Sequence, residues 1–194
     1  MSALAAIQPE LVSVQDYLQG EAAREGRHEY LAGQVVAMTG ASRKHGLIAT
    51  ALSGLLLPHA RQKGCQLFIA DMKVRIDHEG DTWFYYPDLV LDCHSGEAEE
   101  GEAAFVRQPC LIVEVLSPST EHIDTREKLL AYRLLPGLRG YLLLRQDRVQ
   151  ADLYTRAAGS PWQHERHTSG TLRLPCLDAE VALADVYQDV AGLV

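Results

Sequence analysis

Glu114 stands alone among aliphatic neighbours in Cys110-Leu-Ile-Val-Glu-Val-Leu116. An ionised carboxylate in such a setting is costly unless it is paired or bound to a metal. Asp88 occupies a second apolar run, directly after Pro87 in Tyr85-Tyr86-Pro87-Asp88-Leu89-Val90-Leu91. Two carboxylates on adjacent core strands, converging at one end, make a hard-oxygen site suited to Mg²⁺ or Mn²⁺. The same pair suits acid–base hydrolysis of a glycoside, and a buried salt bridge is the plain structural reading of Glu114. Spacing alone does not separate these.

Lys128 favours phosphodiester chemistry. It is one of four lysines, with Lys44, Lys63 and Lys73, and it shares a helical stripe with Ala131, Tyr132 and Leu135. An amine on an inward-facing stripe just after the strand of Glu114 can reach the same site. There a metal would polarise the phosphate and acidify its bound water, while the ammonium orients the nucleophile or neutralises developing charge. Taken alone, Lys128 reads more readily as a lysine snorkelling from the edge of an apolar face to solvent. Lys73, in Asp71-Met72-Lys73, is a rival that strand alternation could as easily aim at solvent.

Arg43, Lys44 and His45 open a helix and form a candidate phosphate contact through side chains and helix N-terminus. His164 and His167 have a ligand-like spacing in polar surroundings and read as surface residues. Trp83 and Trp162 read as packing residues rather than base platforms. No nucleophile elbow, Walker loop, dinucleotide fingerprint or H-E-x-x-H motif occurs.

These residues must be positioned by a fold that 194 residues, 47% hydrophobic and 23% charged, can supply as one domain. Ser13 caps a short helix, with Asp16 completing a capping box. His28 to Val36 forms a hairpin turning at Ala32-Gly33. A longer helix from about Ser42 to Lys63 carries Leu47, Ile48, Ala51, Leu52, Leu55 and Leu56 at helical spacing; Gly64 stops it and Pro58 should kink or tighten its last turns. Strands follow over Gln66 to Ala70, Lys73 to Ile76, Trp83 to Asp92 (interrupted near Pro87) and Cys110 to Leu116. Then come a helix to about Leu135, a buried strand from Tyr141 to Leu144, and a partner strand within Arg148 to Tyr154. Strand, helix, strand is a crossover unit, so the expected fold is α/β (α+β): a mixed central sheet flanked by helices. The domain should run from 13 to 190, with residues 1–12 as an arm.

The net charge of −8 counts against a nucleic-acid partner. Five of those charges (Asp92, Glu97, Glu99, Glu100, Glu102) lie in one stretch without Lys or Arg, so −8 + 5 = −3 remains elsewhere. No apolar run is long enough for a membrane helix, and the N-terminus does not read as a secretory signal. The four cysteines, Cys65, Cys93, Cys110 and Cys176, form no C-x-x-C pair, which argues against a zinc knuckle and against a disulfide framework. A cytoplasmic location is the expectation.

The chain resembles the Uma family of candidate endonucleases in the restriction-endonuclease-like, PD-(D/E)XK superfamily, from Ser13-Val14-Gln15-Asp16-Tyr17-Leu18 to Asp185-Val186-Tyr187. The matching motifs are Arg27-His28-Glu29-Tyr30-Leu31-Ala32-Gly33, Met38 to His45, Tyr86-Pro87-Asp88, Glu114-Val115-Leu116-Ser117-Pro118-Ser119-Thr120, and Asp124 through Lys128 to Tyr132. The resemblance implies that Asp88 and Glu114 bind the metal, with the carbonyl of Val115 adding a ligand, and that Glu29 is an additional N-terminal carboxylate. Leu116 stands where the superfamily motif has lysine; the resemblance implies that Lys128, on the following helix, takes that place. It further implies a DNA endonuclease and a homodimer or higher homo-oligomer. The alternative is a nuclease-fold nucleic-acid-binding or regulatory protein with little turnover.

Overall fold

Ser13 stops the chain from continuing upstream as helix: its hydroxyl accepts from the Asp16 N–H at 3.1 Å and donates to the Asp16 carboxylate at 2.7 Å. The computed structural model describes residues 11–38, 40–94, 105–117 and 121–192. Most of the expected N-terminal arm, the glutamates of the acidic stretch and the Pro118-Ser119-Thr120 part of the motif fall outside them. From Ser13, helix α1 (Val14–Ala23) buries Tyr17 against Tyr30 and Phe84, with ring centroids 5.0 and 5.3 Å apart. Strands β1 (His28–Leu31) and β2 (Gln34–Ala37) form the expected hairpin. Ala32 and Gly33, both at positive φ (47° and 98°), make a tight turn whose twist suits the flanking strands.

Ser42 caps helix α2 (Arg43–Lys63), and Gly64 ends it in the left-handed conformation at φ 71°. The helix is continuous through Pro58. Gly54, whose carbonyl would have received the bond that proline cannot donate, is exposed, so water can take its place. Ile48, Leu52, Leu56 and Ala60 are fully buried, and each of the larger side chains contributes on the order of 1.5–3 kcal/mol by leaving water.

Strands β3 (Gln66–Ile69), β4 (Lys73–His78), β5 (Asp81–Tyr85), β6 (Leu89–Asp92), β7 (Phe105–Val106) and β8 (Pro109–Leu116) follow. The anticipated break at Pro87 is the point where the chain leaves one sheet for another. β5 belongs to a five-stranded sheet in the order β2-β1-β5-β4-β7, whereas β6 belongs to a six-stranded sheet. After β8 come a π-helical turn (Ile123–Lys128), helix α3 (Leu129–Tyr132), and strands β9 (Gly140–Arg145), β10 (Ala151–Thr155) and β11 (Gln163–His167). The six-stranded order is β11-β10-β9-β8-β6-β3, with β8 and β9 parallel and the other pairs antiparallel. The crossover unit is therefore present in a mixed α+β fold, but the strands divide among sheets instead of joining one. A hairpin of β12 (Thr171–Leu174) and β13 (Ala179–Ala182) leads into α4 (Leu183–Val186).

Alternation on the six-stranded sheet separates two cores. Leu111, Val113 and Val115 pack with α2 and α4, while Ile112 and Leu116 pack with Tyr132, Tyr85 and Val74. Glu114 shares the parity of Ile112 and Leu116 and so points toward the segment of Lys128.

Two expectations are corrected. The cysteines do pair: Cys65 with Cys93 and Cys110 with Cys176. Cys65 precedes β3 and Cys93 follows β6, and the antiparallel register that sets Gln66 opposite Asp92 brings them together. Sequence spacing cannot reveal such a pair, because the sheet creates the proximity. The helix expected to reach Leu135 instead ends at the cap Arg133 and begins with a π-turn. That wider turn changes which side chains stack, and such turns recur at functional sites.

Candidate active site

Extending the antiparallel register one step beyond the pair Leu89 and Val113 sets Asp88 opposite Glu114 at the end of β6 and β8. The π-turn after β8 presents Asp124 and Lys128 to the same place, and β1 of the hairpin brings Glu29. The Lys128 ammonium is the hub. Its Nζ lies 3.0 Å from Glu29 Oε1, 3.1 Å from Glu114 Oε1 and 3.2 Å from Asp124 Oδ1. All four side chains are shielded from solvent. The Tyr132 hydroxyl donates to Glu114 Oε1 at 3.2 Å, and the Tyr86 backbone N–H donates to Glu29 Oε1 at 3.3 Å.

Asp88 is tied separately. Its Oδ1 meets His45 Nε2 at 2.7 Å, and its Oδ2 accepts from the Val115 N–H at 2.6 Å. It is the amide of Val115, then, that faces Asp88 here. His45 enters because Ser42 caps α2 and holds the His45 N–H at 3.2 Å, aiming the first helical turn at Asp88. The Ser42 hydroxyl also meets Gln146 from beyond β9.

Charge in the cluster is unbalanced: three carboxylates surround one ammonium. Burial pushes the Glu114 carboxyl well above the usual range; Lys128 opposes this, while Asp124, Asp88 and Glu29 reinforce it. Burial alone would lower the Lys128 pKa, but Glu114, Glu29 and Asp124 more than offset that and hold the amine protonated. Tyr85, whose ring lies 5.6 Å from Lys128 Nζ, is pushed up to about 12, first by burial. Asp124 Oδ1 is buried without a hydrogen bond, facing the ammonium across the ion pair only.

This donor set fits a hard divalent cation in its chemistry: carboxylate oxygens, and a deficit of positive charge that a cation would fill. Among the described residues, no group of three or more His, Cys, Asp or Glu side chains is arranged to cage an ion. That is compatible with Mg²⁺, which is commonly held by one or two carboxylates and completes its shell with water and substrate oxygens.

Of the residues singled out in the sequence, Glu29, Glu114 and Lys128 meet directly, and Asp88 adjoins them with His45. Arg43 is exposed at the start of α2, and Lys44 beside it is half-buried. Lys73 lies elsewhere: it is buried and donates to the Tyr86 hydroxyl at 3.1 Å, and burial lowers its pKa. His164 is exposed, stacks on Tyr154 and meets the buried Asp152 at 2.8 Å. Trp83 and Trp162 pack against a core. Asp124 and Tyr132 were missed as site residues. Asp124 had a usable signal, since it lies four residues before Lys128, the spacing of an ion pair along a helix.

Residues 14–184 match the Uma2 family, whose description reads "Putative restriction endonuclease". The uncharacterized protein slr1290 of Synechocystis sp. is 33% identical over 181 residues, covering 93% of each chain. The uncharacterized protein sll1609 of the same organism is 29% identical over 152 residues, covering 78% of this chain and 85% of its own. The crystal structure of "a putative nuclease belonging to DUF820" from Anabaena variabilis superposes with a TM-score of 0.67 at 17% identity, covering 91% of this chain and 98% of that one. At that identity the likeness concerns the fold.

Proposed function

The chain belongs to the Uma2 family, and from that premise we propose that it is a divalent-metal-dependent endonuclease that hydrolyses phosphodiester bonds in DNA. The observation that carries this reading is the Lys128 ammonium within 3.0–3.1 Å of Glu29 and Glu114, beside Asp88 at the end of the same strand pair. Asp88 and Glu114, with the Val115 carbonyl, would hold Mg²⁺ or Mn²⁺, which supplies Lewis-acid polarisation of the phosphate and a lower pKa for the attacking water.

The protein's own groups have distinct tasks. Lys128 is held protonated, so it acts by charge and hydrogen bonding, not as a base: it offsets the negative charge that grows on the phosphate oxygens. Glu29 and Asp124 orient the amine from two sides. Tyr132 fixes one oxygen of Glu114, leaving the other to face a ligand. His45 and the Val115 N–H fix the plane of Asp88. Each carboxylate is thus set before substrate arrives, which lowers the reorganisation needed during the reaction.

The test is incubation of purified protein with plasmid, linear duplex and single-stranded DNA plus Mg²⁺ or Mn²⁺, alongside Glu114→Ala. Metal-dependent cleavage by wild type alone is expected. If wild type and variant leave every substrate equally intact, the proposal fails for those substrates. A second reading, a nucleic-acid-binding or regulatory protein with little turnover, draws on one observation: both oxygens of Asp88 are already engaged within the protein. DNA binding that needs no metal and survives Asp88→Ala would favour it.

A further inference from the structure

A cavity of about 450 Å³ opens beside the cluster, with Glu21, Arg24, Arg27, Met38, Asp71 and Tyr86 in its walls. One residue joins it to the catalytic groups. The Tyr86 backbone N–H holds Glu29 at 3.3 Å, while at the other end of the residue its hydroxyl donates to Glu21 at 3.0 Å and accepts from Lys73 at 3.1 Å. A polymer cut at Asp88 and Glu114 continues on both sides of the cut bond, and this space, one residue away from Glu29, is open to a neighbouring unit.

The charges in this wall decide which unit suits it. Glu21 is turned inward, accepting from the His28 N–H at 2.7 Å and from Tyr86, with the His28 ring 3.2 Å away. Asp71 is ion-paired with Arg27. Arg24, exposed at the end of α1, forms no ion pair or hydrogen bond among the described residues. Lys73, buried with its ammonium 5.0 Å from the Tyr86 ring centroid, stands outside this wall. Two guanidiniums thus meet two carboxylates; Arg27 and Asp71 offset each other and Glu21 is turned inward, so Arg24 is the cation left unpaired in this wall, in a chain of net charge −8. An unpaired guanidinium beside a cavity marks a place for an anion, and its planar fork suits a phosphate that it can grip with two N–H groups.

Resting on the endonuclease reading, the geometry points to this cavity as the seat of the nucleotide flanking the scissile bond, with Arg24 and Arg27 on its phosphate. Arg24 and Arg27 contact the backbone, so they position the strand without reading its sequence.

The experiment is fluorescence-anisotropy binding of single- and double-stranded DNA by the full chain in EDTA, across a salt series, with cleavage assayed in parallel in Mg²⁺. Wild type is compared with Arg24→Ala, Arg24→Lys, Arg27→Ala and Arg61→Ala. Arg61 lies in the last turn of α2, about 27 Å along the helix from Arg43 (18 residues at 1.5 Å), and serves as the control for bulk charge. Arg24→Ala and Arg27→Ala should each flatten the dependence of log K on log salt by about 0.7–0.9 and raise KM more than they lower kcat. Arg24→Lys should keep the wild-type slope, and Arg61→Ala should change nothing. Wild-type slopes in both alanine variants, or an equal loss in Arg61→Ala, would overturn this assignment while cleavage by wild type left the endonuclease reading standing. A wild type that neither binds nor cuts either form of DNA would overturn both.

Discussion

The Lys128 amine sits 3.0 Å from Glu29 Oε1, so one contact fastens the N-terminal hairpin to the segment that follows β8. Lys128 also faces Glu114 and Asp124 in a buried setting. Removing the ammonium would leave three carboxylates without their shared counter-charge. Lys128→Met is therefore expected to abolish cleavage and to lower unfolding stability near neutral pH by about 3–5 kcal/mol. Urea denaturation and a cleavage assay check both. A variant that unfolds at the wild-type midpoint would mean that the cluster is not held by this cation.

His45 touches Asp88 but lies outside the Lys128 hub. His45→Ala should lower metal affinity or activity by about 10- to 100-fold, as loss of a ligand's supporting partner commonly does, while costing only about 1 kcal/mol of stability. Titration of Mn²⁺ by calorimetry separates the two effects. Unaltered affinity would remove His45 from the site.

A cation that binds only the folded chain raises its melting temperature. Millimolar Mn²⁺ should stabilise wild type and have little effect on Asp88→Asn. Equal shifts in the two proteins would show that the ion binds away from Asp88.

Asp152 supplies a pH dependence remote from the cluster. Burial tends to raise its pKa, but hydrogen bonds from Arg166, Gln150 and His164, together with the Arg166 charge, bring it below the ordinary value. A carboxyl whose folded pKa is depressed contributes stability above its unfolded pKa of about 3.9, and that contribution disappears as pH falls through the folded pKa. Asp152→Asn should therefore be less stable than wild type at neutral pH, and the gap should narrow below about pH 4. Denaturation midpoints measured from neutral to strongly acidic pH test this; a constant gap would contradict it.

The disulfides predict a redox-dependent melt. Cys110 and Cys176 are 66 residues apart and Cys65 and Cys93 are 28 apart, so each bond restricts the unfolded chain and is worth about 2–4 kcal/mol. Thiol titration of the unfolded, unreduced protein should find no free cysteine, and reduction should lower the melting temperature. Four reactive thiols before reduction would rule the pairing out.

Much of this arrangement was readable from local chemistry. Ser13 with Asp16, Ala32-Gly33, Ser42 and Gly64 act over a few residues, so helix and turn boundaries followed from residue type. Glu114 advertised itself because a lone acid in an aliphatic strand demands a partner, and Lys128 because a scarce residue fell on an apolar stripe. Lys73 shows the limit: alternation gives two faces and does not say which is buried.

The amino-acid order by itself determined most elements as far as β10, the two-residue alternation that turns Glu114 away from Val113 and Val115, and the presence of acids and an amine suited to one centre. Tertiary structure alone decided that Pro87 hands the chain between sheets, that Glu29 joins Lys128, that His45 braces Asp88, and that the cysteines pair. Each of these is a contact between residues brought together by strand register or by packing of distant elements. Local propensity acts within a turn or two of the chain, whereas such meetings exist only once the sheets have formed.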